Sequence, residues 1–250
     1  MSQSILITGA SSGIGRQLAI EFAARGYRLA LTARRLDALA TLRAELQTRH
    51  PGLAVETAAL DVQRTAEVAP AVEALATALG GLDIVVANAG IGDTGLVGTG
   101  GFARDAAVIQ TNVLGAMATL DAAVALFRRQ QRGQLVAISS VAAARGMPGA
   151  GAYCASKAAL AVYADSIRHE LYGTGIAVTT LYPGFIDTPL NNHMTRRPFL
   201  VTVEDGGRRM ADLIERRVGQ AAVPRWPWTA VMTLLRHAPG SRLALQRPMD

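Results

Sequence analysis

Ser4-Ile5-Leu6-Ile7-Thr8-Gly9-Ala10-Ser11-Ser12-Gly13-Ile14-Gly15-Arg16 is the stretch from which the fold can be read. A short apolar run leads into a turn holding three glycines, and Leu18, Ala19, Phe22 and Ala23 then recur at helical spacing within Ile14–Arg25. Glycines let a backbone turn sharply and come close to a pyrophosphate, while a helix start offers unpaired N–H groups and the positive end of the helix dipole. Thr8–Gly15 therefore predicts a phosphate-binding turn, with an ordinary glycine turn as the plain alternative. The strand, turn and helix around the glycines give the pattern its weight.

Working outward, the alternation repeats. Arg28–Thr32 reads as strand and Leu36–Arg49 as helix, Leu53–Leu60 as strand and Thr65–Leu79 as helix, and Leu82–Ala87 as a buried strand after Gly80-Gly81. Phe102–Arg129 is helical with Gly115 inside it, Gln134–Ser139 a strand, Ala152–Tyr172 a helix and Ile176–Leu181 a sixth strand cut by Pro183-Gly184. Strands that alternate with helices must be joined by crossovers, which predicts an α/β fold: a doubly wound parallel sheet with helices on both faces. Nothing marks a linker, so residues 1–250 read as one Rossmann-type domain, with 189–218 as substrate loop and helix and 219–250 as a C-terminal extension. Asn191–Thr202 lacks periodicity and follows a strand end, where open parallel sheets bind ligands.

Composition excludes several classes. Half of the 250 residues are hydrophobic and 18% are charged, which is the balance of a globular chain. Cys154 is the only cysteine, so no intrachain disulfide can form and a reducing cytoplasm is the expected location. His50, His169, His193 and His237 are scattered, and no metal is expected. No signal-peptide pattern opens the chain and no apolar run reaches membrane-spanning length. The net charge is +6, and from Arg196 onward ten arginines face five acids, so the excess is C-terminal. Aromatics are only 5% and no dense basic run occurs, which favours a solvated basic surface over nucleic-acid binding.

Four features carry chemistry. After the second strand stands Ala33-Arg34-Arg35, where an acid would hold the ribose hydroxyl of NAD and an arginine suits the 2′-phosphate of NADP; Arg16 offers a second cation. Tyr153 and Lys157 are four residues apart on a helix and share one face. A phenol titrates near pH ~10, and a nearby cation favours the phenolate and makes it a better acid and base. Lys157 is the only lysine among 25 basic residues, so the position needs something arginine does not supply. Ser139-Ser140 ends the fifth strand, Asn88-Ala89-Gly90 ends the fourth, and Asn112 lies inside a helix, where asparagine is mildly unfavourable.

Together these residues resemble the short-chain dehydrogenase/reductase family in its compact single-domain branch, from Ile5 to Thr188. The resemblance rests on Thr8–Gly15, Asp61-Val62, Asn88–Gly90, Asn112, Ser140, Tyr153–Lys157 and Pro183-Gly184 with Thr188. It implies a catalytic set of Asn112, Ser140, Tyr153 and Lys157. Tyr153 is then the general acid/base, Lys157 lowers its pKa and holds the nicotinamide ribose, Ser140 orients the substrate oxygen, and Asn112 supports a water-linked proton relay. NADP(H) is the implied cofactor. Gly9, Ser11, Ser12, Gly13, Ile14, Gly15, Arg16, Arg34, Asp61, Val62, Asn88, Ala89, Gly90, Pro183, Gly184, Ile186 and Thr188 are its implied contacts, with Tyr153 and Lys157.

The expected activity is interconversion of a ketone or aldehyde and an alcohol by hydride transfer. An NADPH-binding regulator is the alternative, and a nucleotide-sugar epimerase or dehydratase is disfavoured by the chain's shorter length and its glycine spacing. Phe185, Leu190, His193 and Met194, with Ser140 and Tyr153, are the candidate substrate contacts, and Phe199 is a further apolar candidate. A homodimer through Phe102–Arg129 and Ala152–Tyr172, or a homotetramer, is expected. The end departs from the family pattern, with Ala221–Pro224 and Trp226-Pro227-Trp228 in place of a final strand and glycine-rich contact, which weakens the tetramer. Core packing is favoured for Trp226–Leu235, over lining the substrate entrance or lying on a membrane surface.

Overall fold

Side chains along each strand alternate between two buried layers, which requires a sheet covered on both faces. Ile5 and Ile7 of β1 (Ser4–Thr8) join the layer of Leu18, Phe22, Leu39, Leu46 and Ile214, whereas Leu6 joins that of Val72, Leu120, Phe127, Leu160 and Ile167. Leu29, Leu31 and Ala30 of β2 (Arg28–Ala33) divide in the same way. The computed structural model describes residues 2–92 and 95–239.

The other strands are β3 (Val55–Ala59), β4 (Ile84–Ala87), β5 (Gly133–Ile138), β6 (Ile176–Pro183) and β7 (Gln220–Val223). They form one seven-stranded sheet in the order β3-β2-β1-β4-β5-β6-β7, with every pair parallel. The order reverses between β1 and β4, so the connections that leave these strands diverge and open a crevice at their carboxyl ends. One face carries α1 (Gly13–Ala24), α2 (Leu36–Arg49) and a C-terminal helix, Val203–Glu215. The other carries α3 (Thr65–Ala78), α4 (Phe102–Ile109) with its continuation α5 (Ala116–Gln130), and α6 (Gly151–Glu170). Val203–Glu215 is α7, and α8 is Arg225–His237.

Two expectations need correction. The long helix from Phe102 is broken in winding by a π-helical turn, Gln110–Gly115. A Cβ at Gly115 would lie 2.7 Å from Val62 Cγ2 and 2.9 Å from Val62 O, so the wider turn and the bare glycine let the helix sit on the β3–α3 connection. Gln220–Val223 is a seventh strand, so the terminal strand missing from the sequence reading is present; four residues carry too little periodicity to show a strand, and pairing with β6 defines it. Phe102–Gln130 passes for a membrane-crossing helix by length and composition alone, but half of its apolar 18-residue window is buried, with Ala116, Leu120, Ala123 and Phe127 in the core of the sheet's helical layer. Residues 240–250, the end of the predicted 219–250 extension, lie outside the described residues.

Candidate active site

The glycine turn is built by close packing at the crevice. Gly9 and Gly13 take φ of +70° and +55°, where a side chain is strained. A Cβ on Gly15 would overlap Gly9 O and lie 2.5 Å from Asn88 Nδ2. Asn88 Nδ2 donates to Thr8 O at 2.8 Å, while Thr8 Oγ1 accepts the N–H groups of Asn88 and Ala89 at 3.1 Å. Together Thr8 and Asn88 lock the ends of β1 and β4. No side chain caps the start of α1, so its first N–H groups point to the cleft without a capping partner and suit an anion.

One cleft of about 1710 Å³ runs from this turn across the carboxyl ends of the strands. That is more room than a single small ligand fills. Gly9, Ser11, Ser12, Gly13, Ile14, Arg34, Asp61, Val62, Asn88, Ala89 and Gly90 line one half, and Pro183, Gly184, Ile186 and Thr188 border the other. Gly15 and Arg16 do not line it. Arg16 instead forms an ion pair with Glu45 of α2, and Arg35, which the sequence reading left out of the contact set, lines the cleft and donates to Ser11 Oγ at 3.2 Å. The signal for Arg35 was its place after β2; which arginine turned inward depended on the partners available to each.

The candidate catalytic residues lie beyond β5. Ser139 Oγ donates to Lys157 O at 2.8 Å and so ties the strand end to α6. Ser140 begins the 3₁₀ turn Val141–Ala144; its Oγ accepts the Ala142 N–H at 3.2 Å and donates to Pro183 O at 3.4 Å. Lys157 is 6% exposed, donates from Nζ to Ile138 O at 3.1 Å, and lies 5.8 Å from the centre of the Tyr153 ring. Burial pulls the Lys157 pKa down to about 8. Burial also pushes the Tyr153 phenol above its ordinary value, against the opposing effect of its hydrogen bond with Ser140. Burial thus opposes the charged form of both groups, where the sequence predicts a Tyr153 pKa lowered by Lys157, and with its pKa at about 8 Lys157 stays mostly charged at neutral pH.

Asn112 falls in the π-helical turn and is fully buried. Its Oδ1 accepts the Ile91 N–H at 2.8 Å, and its Nδ2 donates to Ile91 O at 2.9 Å and Ser156 Oγ at 3.1 Å. The side chain therefore clamps the segment following β4 against α6. Between them, a Cβ on Gly90 would lie 3.1 Å from Asn112 Oδ1 and 3.4 Å from Lys157 Nζ, which explains a glycine there.

Phe185, Leu190, His193 and Met194 line the cleft beside Ser140 and Tyr153; Phe199 is half exposed and packs on the cleft wall through Trp228. The loop after β6 is ordered by an Ile186–Val201 bridge, by Asn191 Nδ2 donating to Ile186 O at 2.9 Å, and by the Arg197–Asp187 ion pair. Arg145, Met147, Trp228 and Leu235 also line this half, and none was a predicted contact. Trp228 both packs in a small core with Tyr182 and Met232 and borders the cleft, so two readings of the C-terminal segment hold at once. No group of metal-ligating side chains occurs among the described residues.

The model of the short chain dehydrogenases matches residues 3–198. An uncharacterised oxidoreductase of Mycobacterium tuberculosis is 40% identical over 234 residues, which cover 93% of this chain and 92% of the relative. Among solved structures, an alcohol dehydrogenase from the archaeon Thermococcus sibiricus, complexed with 5-hydroxy-NADP, is 28% identical with a TM-score of 0.81 over 89% of this chain and 96% of its own. A short-chain dehydrogenase/reductase of Burkholderia phymatum in complex with NAD shares the fold, at 23% identity and a TM-score of 0.85 over 100% of this chain and 97% of its own.

Proposed function

The chain belongs to the short-chain dehydrogenase family of oxidoreductases, and on that premise we propose that it is an NADP(H)-dependent enzyme interconverting a ketone or aldehyde and an alcohol. The observation that carries this reading is the convergence of Ser140, Tyr153 and Lys157 on the cleft that begins at the glycine turn. A regulator that only bound the cofactor would not need a buried proton donor.

The residues fit the cofactor. The bare N–H groups of α1 and the close approach permitted at Gly9 suit a pyrophosphate, and Arg34 and Arg35 line the region beyond β2 where a 2′-phosphate would be recognised. Asp61 and Val62 border the adenine side, and Ile186 and Thr188 the carboxamide side. When bound, the nicotinamide supplies or accepts the hydride. The chain supplies the rest. Ser140 Oγ orients the substrate oxygen toward Tyr153, whose hydroxyl gives it a proton in reduction and takes one back in oxidation. Lys157 holds a positive charge behind the phenol and reaches the ribose hydroxyls. Asn112 keeps the Ile91 backbone in place and supports a water-linked proton relay behind Lys157.

We read residues 1–250 as one functional unit, with 189–218 covering the substrate. Exposed Phe102, Leu114 and Val162 support a homo-oligomer formed through the helices that carry them. The buried thiol of Cys154 agrees with a cytoplasmic location. The test is NADPH consumption over a panel of aldehydes, ketones and diketones, run beside Tyr153→Phe and with NADH. Turnover that Tyr153→Phe abolishes, with NADPH preferred, supports the proposal; tight NADPH binding without turnover across the panel favours the regulator.

A further inference from the structure

Arg145 closes the 3₁₀ turn that Ser140 opens. The four residues Val141–Ala144 separate them, and at a 3₁₀ rise the two backbones stand about 10 Å apart. Arg145 lines the cleft and is half-buried, and its Nη1 donates to Arg236 O at 3.2 Å in a solvent-exposed contact at the end of α8. That bond occupies one of the five N–H donors of a guanidinium and leaves its charge uncompensated. No carboxylate pairs with Arg145 among the described residues.

The lining around it is apolar or cationic. Met147, Leu190, Met194 and Leu235 line this half of the cleft together with Arg196 and Arg197. Arg197 is neutralised by Asp187 and also donates to Asn191 Oδ1 at 3.4 Å, so its task is to order the loop after β6. Arg196 is exposed and has no acidic partner among the described residues. Among those residues Asp61 is the only acid that lines the cleft, and it stands in the half that begins at the glycine turn. A cleft walled by apolar groups and lined by one sign of charge concentrates ligands of the opposite sign. The cofactor reading gives Arg34 and Arg35 a phosphate to bind and leaves Arg145 without a role.

We propose that Arg145 binds a carboxylate of the substrate, so that the enzyme acts on carbonyl compounds whose apolar chain ends in a carboxylate. This rests on the reading of the cleft as a carbonyl site. The carbonyl lies at Ser140 and Tyr153, the chain runs along the methionines and leucines, and the carboxylate meets the fork of Arg145. A guanidinium presents parallel N–H groups that match both oxygens of a carboxylate. Its hydrogen bond to Arg236 O narrows the conformations that binding has to select, and Arg196 adds to the positive potential. The spacing between Ser140 and Arg145 favours a carboxylate remote from the carbonyl over a 2-oxo acid.

The experiment assays the full chain with NADPH on oxo acids of increasing chain length, each with its ketone next to the terminal methyl, and on their methyl esters. For the longer acids kcat/KM is expected to exceed that of the ester by about 10- to 100-fold, and the shortest acids lose this preference. Arg145→Gln is expected to bring the acid-to-ester ratio down to about threefold or less, and Arg145→Lys to restore part of it, because an ammonium keeps the charge without the fork. A second readout needs no turnover. Calorimetric titration of the NADP⁺-bound protein with the saturated alkanoate of matching length is expected to give binding that weakens about tenfold or more in Arg145→Gln. Equal kcat/KM for acids and esters, or equal losses on both in Arg145→Gln, overturns the proposal. Arg145-dependent alkanoate binding without turnover keeps the subsite and sinks the reductase reading, whereas Tyr153-dependent turnover of acids and esters alike does the reverse. Neither turnover nor alkanoate binding overturns both.

Discussion

The Lys157 ammonium lies 5.8 Å from the centre of the Tyr153 ring and gives a hydrogen bond to Ile138 O at 3.1 Å, with burial opposing its charge. At neutral pH a mostly charged Lys157 therefore sits beside a neutral Tyr153 phenol. Tyr153→Phe is expected to lower NADPH-dependent turnover by about 10²- to 10⁴-fold, as measured by steady-state kinetics. NADPH affinity, measured by fluorescence titration, should change little, because the proposed contacts of the glycine turn and the arginines with the far end of the cofactor are left intact.

Burial of Lys157 also has a signature in stability. Its pKa falls from 10.5 to about 8, so between those values the unfolded chain holds a proton that the folded chain releases, and stability rises with pH. Tyr153 and Tyr27 have raised pKa values, Tyr27 to about 12, so above pH ~10 the unfolded chain loses protons that the folded one keeps and stability falls. Melting of ligand-free protein should therefore improve from pH 8 toward pH 10 and worsen beyond it. Lys157→Met should flatten the rising part and raise stability at pH 7 by about 2–3 kcal/mol, while removing activity. A Lys157→Met protein that melts lower than its parent at pH 7 would overturn this account.

The three arginines near the turn should differ in consequence. Arg34→Gln combined with Arg35→Gln is expected to raise the KM for NADPH by about 10- to 100-fold and leave that for NADH nearly unchanged. Arg16→Gln should alter either by less than about threefold, since its guanidinium pairs with Glu45 outside the cleft lining. A larger effect from Arg16 than from Arg35 would reverse the assignment.

Gly15 is a packing position behind the cleft lining. Gly15→Ala places a Cβ against Gly9 O and the Asn88 amide, neither of which can retreat without opening β1 from β4. A loss of about 2–4 kcal/mol in chemical denaturation is expected, together with weaker cofactor binding.

Asn112→Ala leaves the partly buried Ile91 N–H and carbonyl without their partner. Loss of about 2–4 kcal/mol is expected, along with loss of activity. Asn112→Asp, which keeps the acceptor and loses the donors, should recover part of the stability and less of the activity.

Much of the fold was legible because its signals are local. Strand and helix periodicities, the glycine turn and the four-residue spacing of Tyr153 and Lys157 each fit within one element, so chain order alone put them at the carboxyl ends of parallel strands. Strand β7 was not legible, since four residues hold too little pattern and only pairing with β6 defines it.

The sequence by itself determined the doubly wound architecture, the phosphate-binding turn and the identities of Ser140, Tyr153 and Lys157, because backbone geometry and helix spacing are dictated residue by residue. Only the tertiary structure decided that Arg16 turns to Glu45 while Arg35 faces the cleft, and that burial outweighs the mutual influence of Tyr153 and Lys157. It also brought Trp228 onto Gly184, next to the Pro183 carbonyl that accepts from Ser140. Desolvation, ion pairing and packing depend on which residues distant in the chain become neighbours, and no local pattern encodes that.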